Sequence, residues 1–81
     1  LNTEHVIERE TLTVREHMTR MLERLGSRGE TRFSELVTTS EGRLGVVVSF
    51  LAILELAREA LITLEQERAY APLTLRLAGS R

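Results

Sequence analysis

The chain has 81 residues and a mass of 9.2 kDa, which limits it to one small domain and argues against a catalytic cleft with its own walls. Its 11 basic residues are all Arg and its 12 acidic residues all Glu, giving a net charge of −1 and no long-range field for nucleic acid. Cysteine is absent, which excludes thiol catalysis, disulfides and a thiolate zinc site. No apolar run approaches the roughly 20 residues that span a membrane, and no secretory signal opens the chain.

The beginning of the chain is the segment with the weakest pattern. The first residue is Leu1 rather than Met, which predicts a fragment of a longer protein. Residues 1–12 contain β-branched positions between polar ones, and we expect a short strand or an extended lead-in there. We expect the domain itself to span residues 13–77, followed by a frayed tail over residues 78–81.

The first predicted helix begins with a capping box. Thr13 and Glu16 stand three residues apart, so that each side chain can bond the other's backbone N–H. Apolar residues at helical spacing follow over Val14–Leu25, and Gly26 is a natural terminator. The sequence therefore predicts a helix from about Val14 to Leu25.

Two shorter elements are predicted next. Thr31–Phe33 has the length of a strand stub, and Glu35–Val37 predicts a short second helix with Ser34 as its N-cap. Ser40 is then placed to cap a third helix.

The third predicted helix, Arg43–Glu59, is apolar over most of its circumference. At about 100° per residue, the expected core stripe consists of Val46, Phe50, Ile53 and Ala57, with Val47 and Leu54 beside it. The roughly opposite side carries Leu44, Val48 and Leu51 and continues into Glu55 and Arg58. Because an amphipathic surface helix needs an apolar stripe of only about 100°, either the domain wraps this helix or a partner covers one side.

The C-terminal part predicts a β-hairpin. Leu61–Glu67 and Leu73–Leu77 alternate between apolar and polar residues, and a five-residue link ending in Pro72 joins them. The element order is helix, strand stub, short helix, long helix and hairpin. This order predicts an α+β fold of the winged-helix type, with a three-helix helix-turn-helix core and a C-terminal wing.

Particular residues resemble a known family. The run Phe50–Leu56 is similar to the F-L-A-x-L-E-L run of the bacterial kleisin family ScpA, segregation and condensation protein A. Gln66, Tyr70, Leu73 and Leu75 resemble the Q-x-x-x-[FY]-x-x-[IL]-x-[LV] pattern of its hairpin. The resemblance covers about Val14 to Leu77. Many family members have Gly-Asp where this sequence has Ala71-Pro72, so we expect a different turn geometry there.

This resemblance implies a C-terminal winged-helix domain that performs no chemistry. Such a domain binds the ATPase head of an SMC protein, in a complex that condenses and segregates chromosomes. The companion protein ScpB would bind the middle part of the kleisin, which this chain lacks. The expected location is the cytoplasm, in association with the nucleoid. Neither a cofactor nor direct DNA binding is expected of this domain.

The residues themselves also favour binding over catalysis. The two His are far apart in sequence, and no Ser-His-acid set, phosphate loop or metal-ligand spacing is present. The candidate partner-binding residues are Arg43, Leu44, Val48, Leu51, Glu55, Arg58, Tyr70 and Leu73. An equally open interpretation places the apolar members of this set in the core, and packing of Tyr70 against the first helix is the commoner arrangement for such a residue.

Two other functions stay open at this point. A DNA-binding winged helix of a transcription regulator would offer polar or basic side chains to base edges and lose affinity steeply with salt. The third helix offers aliphatic residues instead. A homodimerisation module could use the same apolar helix.

Overall fold

A computed structural model describes the backbone of residues 3–79 and the side chains of residues 13–79. The elements in chain order are α1 (Thr3–Arg28), β1 (Glu30–Arg32), α2 (Phe33–Leu36), α3 (Gly42–Arg58), β2 (Ile62–Glu65) and β3 (Thr74–Leu77). The strands form one antiparallel sheet in the order β1-β3-β2. Three helices followed by a strand hairpin confirm the predicted α+β fold, an arrangement compatible with a winged helix.

Helix α1 begins eleven residues earlier than the sequence pattern indicated. The prediction of a strand or extended lead-in is wrong from Thr3 onward, and Leu1 and Asn2 lie outside the described residues. Thr13 and Glu16 sit within the helix, so they do not form a capping box at its start. The segment before Thr13 is rich in Glu, a good helix former, and β-branched residues oppose helix formation by only tenths of a kcal/mol each.

The end of α1 also differs from the prediction. Gly26 lies inside the helix, which continues to Arg28. The helix ends just before Gly29, whose φ of 81° is the left-handed conformation that glycine adopts without strain. The Gly29 N–H donates to the carbonyl oxygen of Leu25 at 2.7 Å, which satisfies one of the last helical acceptors.

Neither predicted serine caps a helix. The N-cap of α2 is Arg32, because the Phe33 N–H already pairs with the Leu73 carbonyl at 2.9 Å and the helix begins directly after β1. The N-cap of α3 is Glu41, and no side chain provides a cap hydrogen bond there. The chain instead enters α3 through a turn in which the Gly42 N–H donates to Thr39.

Helix α3 ends in a Schellman motif, a pair of nested hydrogen bonds after which the chain turns into β2. The Ala60 N–H donates to Ala57 and the Leu61 N–H donates to Leu56, both at 3.0 Å. Ala60 has a φ of 58°, a conformation that favours glycine.

The sheet has one apolar and one charged face. Ile62 pairs with Leu77, and Thr31 pairs with the fully buried Leu75, so these four side chains point toward the helices. On the outer face Arg76 bonds Glu30 across one strand pair and lies 3.4 Å from Glu65 across the other. This pattern fixes the register, since a one-residue slip would exchange the two faces.

The hydrophobic core lies between α1, α3 and the inner face of the sheet. It consists of Met18, Met21, Leu25, Leu36, Ala52, Ile53, Leu56, Ile62 and Leu75. Half-buried Leu77 and Ala57 pack against it. Ala78, which we expected in a frayed tail, donates its N–H to the Leu61 carbonyl at 2.9 Å, whereas Ser80 and Arg81 lie outside the described residues.

Candidate partner-binding surface

The exposed side of α3 carries five large apolar side chains. They are Leu44, Val47, Phe50, Leu51 and Leu54, each between 43% and 68% exposed. Four of them follow one another at spacings of three, four and three residues, which places them in one stripe along the helix, with Phe50 beside it. We call these five residues the apolar face of α3.

Small residues on the opposite side of α3 determine which way the helix faces. The buried residues of α3 are Gly45, Val48, Ser49, Ala52, Ile53 and Leu56. A Cβ atom added at Gly45 would lie 2.7 Å from Cβ of Glu41 and 3.2 Å from the carbonyl oxygen of Thr38. Because no side chain fits at Gly45, the side of α3 that carries it faces Thr38 and Glu41, and the residues on the opposite side of the helix are left exposed.

This orientation corrects the predicted core stripe. Ile53 is buried and Ala57 packs against the core as expected, and Val46 is half-buried. The prediction is wrong for Val47, Phe50 and Leu54, which are exposed. A prediction from hydrophobicity alone places Val and Phe in the core in preference to Gly, Ser and Ala. The predicted core side of α3 therefore differs from the observed one by about a quarter of a helical turn or more.

Two phenylalanines connect the apolar face to the sheet. The rings of Phe33 and Phe50 meet edge to face, with centroids 5.1 Å apart and an interplanar angle of 61°. The Phe33 N–H donates to the carbonyl oxygen of Leu73, whose exposed side chain lies immediately before β3. The apolar surface therefore reaches from α3 through this aromatic pair toward the wing.

Charged residues flank the apolar face at both ends. Arg43 is exposed at its beginning, and Arg58 at its end donates from Nε to Oε2 of Glu55 at 2.9 Å and from Nη2 to Oε1. This hydrogen bond lowers the pKa of the Glu55 carboxyl below its ordinary value, although partial desolvation acts in the opposite direction. The same contact raises the pKa of Arg58. The two parallel hydrogen bonds of this pair hold both side chains in place at the C-terminal end of the apolar face.

Tyr70 lies at the tip of the wing and makes no core contact. Its side chain is fully exposed and its φ is 65°. The turn is closed by the Ala71 N–H donating to Arg68 at 3.1 Å, and the Gln66 side-chain amide donates to the Ala71 carbonyl at 2.8 Å. A strained, fixed backbone thus presents one aromatic side chain to solvent.

Most predicted site residues lie where a partner could reach them. Leu44, Leu51, Tyr70 and Leu73 are exposed, and Arg43, Glu55 and Arg58 border the apolar face. Val48 is only 4% exposed, so its predicted place on the surface is wrong. The sequence analysis did not identify Val47, Phe50 and Leu54 as surface residues. The spacing of the small residues Gly45, Ser49 and Ala52 on the other side of the helix could have revealed them.

A concave surface lies between α1 and α2. A cavity of about 180 Å³ between α1 and α2 is lined by His17, Arg20, Met21, Arg24, Glu35, Leu36 and Thr38, where Arg24 lies 3.8 Å from the Glu35 carboxylate. Across the described residues no three His, Cys, Asp or Glu side chains cluster as metal ligands. None of the described helices is both long and apolar enough to cross a bilayer.

Comparisons with known proteins agree with the resemblance seen in the sequence. A family model described as "Segregation and condensation protein ScpA" matches residues 1–78. Segregation and condensation protein A of Coxiella burnetii is 41% identical over 75 residues, covering 93% of this chain and 28% of that protein. The protein of the same name from Xylella fastidiosa is 44% identical over 72 residues (89% and 24%), and that of Myxococcus xanthus 38% over 74 residues (89% and 26%). The chain spans about a quarter of the length of these relatives. It belongs to the ScpA family of segregation and condensation proteins.

Proposed function

We propose that this chain is a non-catalytic domain that binds the ATPase head of an SMC protein, within a complex for chromosome condensation and segregation. The observation that carries this proposal is the apolar face of α3, which a domain standing alone in water has no reason to expose. A contiguous apolar patch with a polar rim is the usual mark of a protein interface. Membership of the ScpA family supports the choice of an SMC head as the partner.

The shape of the patch indicates where affinity would be concentrated. Phe50 contacts Phe33, and Leu54 lies one helical turn further along α3. Central aromatic and large aliphatic side chains commonly provide most of the binding energy of an interface. Arg43 and the Arg58–Glu55 pair lie at the rim, where charges direct orientation and association rate more than affinity.

A DNA-binding function is not favoured. A recognition helix presents polar or basic side chains to base edges, whereas the exposed side of α3 is aliphatic and aromatic. The Arg residues are scattered along the sequence among Glu residues rather than clustered, and the net charge is −1, so the chain offers no basic run for a phosphate backbone.

The wider setting follows from the same proposal. The full-length protein would contact ScpB through the segment outside this chain, and the assembly would reside in the cytoplasm with the nucleoid. In this setting the domain is a tether, and ATP hydrolysis belongs to the head that it binds.

The test is a binding measurement between the chain and an SMC ATPase head, with and without nucleotide. Leu54→Glu places a charge in the apolar face and is expected to weaken binding at least about 30-fold, the level of an interface hot spot. Leu51→Glu should act in the same direction. Thr19→Glu introduces the same charge on the exposed side of α1 and should bind like the wild type. Folded Leu54→Glu and Leu51→Glu variants that bind normally would exclude this surface.

A further inference from the structure

The turn at the tip of the wing holds Tyr70 in a backbone conformation that a tyrosine does not favour. The Ala71 N–H donates to the Arg68 carbonyl at 3.1 Å, which closes a four-residue turn with Ala69 and Tyr70 at its centre. Tyr70 has a φ of 65°, whereas the φ of Ala69 is negative. This combination is that of a type II turn, in which the third position ordinarily takes Gly or Asn. The backbone of Tyr70 is therefore strained.

Two neighbouring side chains hold this strained turn in place. The Gln66 side chain donates from Nε2 to the Ala71 carbonyl oxygen at 2.8 Å, which connects the chain before the turn to its last residue. Pro72 restricts the residue before it, Ala71, to extended conformations. Relaxation of φ at Tyr70 would move the Ala71 carbonyl away from Gln66, so the hydrogen bond opposes it.

The strain at Tyr70 is not offset by any contact of its own side chain. The side chain is fully exposed, and within the described part of the chain it has no hydrogen bond, ion pair or ring contact. Strained residues that the surrounding structure holds in place are concentrated at functional sites. Tyrosine is also a residue type enriched in protein interfaces, because it offers a large amphipathic surface with only two side-chain torsions. The turn therefore presents a side chain suited to contact a partner.

Tyr70 lies close to the surface that extends from the apolar face of α3. The ring of Phe50 contacts the ring of Phe33, whose backbone N–H pairs with the Leu73 carbonyl. Tyr70 precedes Leu73 by three residues, so their Cα atoms are at most about 11 Å apart. An interface of standard size covers about 800 Å² of each partner, which is a patch about 30 Å across. One partner is therefore large enough to cover the aromatic pair and Tyr70 together.

We propose that Tyr70 is an anchor for the SMC head, in addition to the apolar face of α3, and that Gln66 is its positioning residue. This inference rests on the proposed function, since it takes the SMC head as the partner. The ring would enter an apolar recess of the head that offers a hydrogen-bond acceptor to the phenol O–H. Because the turn is already fixed in the free chain, its backbone would lose little conformational entropy on binding.

Variants at Tyr70 separate an effect on binding from an effect on folding. Tyr70→Asn removes the ring and should weaken binding to the SMC head at least about 30-fold, the level of an interface hot spot. Its thermal unfolding midpoint should be unchanged or higher, because Asn tolerates the left-handed conformation and the ring has no contact to lose. Tyr70→Phe keeps the ring and should bind within about tenfold of the wild type. A folded Tyr70→Asn variant that binds the head like the wild type would overturn the anchor.

A variant of Gln66 tests the positioning role. Gln66→Met has nearly the same length but no N–H donor, and it should weaken binding about three- to tenfold, the equivalent of one hydrogen bond. In a chain that already carries Tyr70→Asn, the same change should cause no further loss, because Gln66 acts through Tyr70. An equal loss in both backgrounds would mean that Gln66 affects binding independently of Tyr70, and would overturn the positioning role.

The wild-type chain allows a direct measurement, because Tyr70 is its single tyrosine. In a chain with isotope-labelled tyrosine, a soluble paramagnetic agent should strongly relax the ring signal, and binding of the unlabelled SMC head should reduce this relaxation at least about threefold. Unchanged relaxation in a complex that forms normally would overturn the anchor and leave the proposed function intact. Shielding that grows with the concentration of the free chain would assign Tyr70 to a contact between copies and also overturn it. Absence of any complex would overturn both proposals.

Discussion

The hydroxyl of Ser49 accepts a hydrogen bond from the backbone N–H of Thr38 at 2.9 Å, although the two residues are 11 positions apart. The same hydroxyl donates to the Gly45 carbonyl one turn earlier in α3, at 2.7 Å. Ser49 is completely buried, so both bonds lie out of reach of solvent. This one side chain therefore ties the connection between α2 and α3 to the buried side of α3, and so helps to direct the apolar face outward.

Ser49→Ala should destabilise the domain by about 1–3 kcal/mol, because the Thr38 N–H would be left without a partner in a partly buried position. The change is small enough to leave packing intact, and the free energy of unfolding in denaturant measures it. Ser40→Ala, at an exposed position of the same connection, serves as control and should change stability by less than about 0.5 kcal/mol. An unfolding free energy unchanged in Ser49→Ala would mean that the Thr38 N–H finds another acceptor.

Ala60→Gly should stabilise the domain by about 1 kcal/mol. Ala60 holds the left-handed position of the Schellman motif after α3, where a Cβ atom is unfavourable and glycine is not. Ala57→Gly makes the identical change three residues earlier, inside the helix, and should instead destabilise by about 1 kcal/mol. Thermal unfolding of the two variants beside the wild type checks the opposite signs. Two shifts in the same direction would contradict the assignment of the motif.

The sequence predicted the kind and order of the elements better than it predicted their faces and ends. The alternation of Leu73–Leu77 and the apolar length of α3 identified the hairpin and the long helix, because those signals depend on periodicity alone. The orientation of α3 depends on where Gly45 and Ser49 can approach Thr38 and Glu41, which is a tertiary constraint. The exposure of Phe50 could not be read from its hydrophobicity, which predicted the opposite.

The end of α1 was predicted wrongly for a similar reason. Gly26 and Gly29 are both plausible terminators in sequence, and the structure chooses Gly29, the one that has positive φ. Nothing near Gly26 forbids a side chain, since an added Cβ there would meet only Leu77 Cδ1 at an ordinary 3.9 Å. The local sequence thus offers two possible ends for α1, and the tertiary structure determines which of them is used.

Thr31→Val should stabilise the domain by about 1 kcal/mol. Thr31 is 2% exposed on the inner face of the sheet, opposite Leu75, and its hydroxyl has no hydrogen-bond partner. Valine has nearly the same shape without the polar group whose burial is unfavourable. Thr63→Val, on the exposed outer face, should change the free energy of unfolding by less than about 0.5 kcal/mol. A destabilised Thr31→Val variant would indicate that a buried water bonds the hydroxyl.

The Glu55–Arg58 pair should contribute to stability only above the pH at which Glu55 becomes protonated. Because hydrogen bonding to Arg58 lowers the pKa of Glu55 in the folded chain, the folded state favours the ionised carboxylate relative to the unfolded state. The contribution is therefore present above the unfolded pKa of Glu, about 4.3, and is lost as the pH falls through the lower folded pKa.

A double-mutant cycle with Glu55→Gln and Arg58→Gln isolates this contribution from other effects of the two side chains. The coupling between the two changes, measured by denaturant unfolding, should be favourable at about pH 7 and should vanish once the pH is low enough to protonate the carboxyl in both states. Since the pair is exposed, added salt at pH 7 should reduce the coupling as well. A coupling that persists unchanged at low pH would mean that Glu55 and Arg58 interact through packing of their side chains rather than through charge.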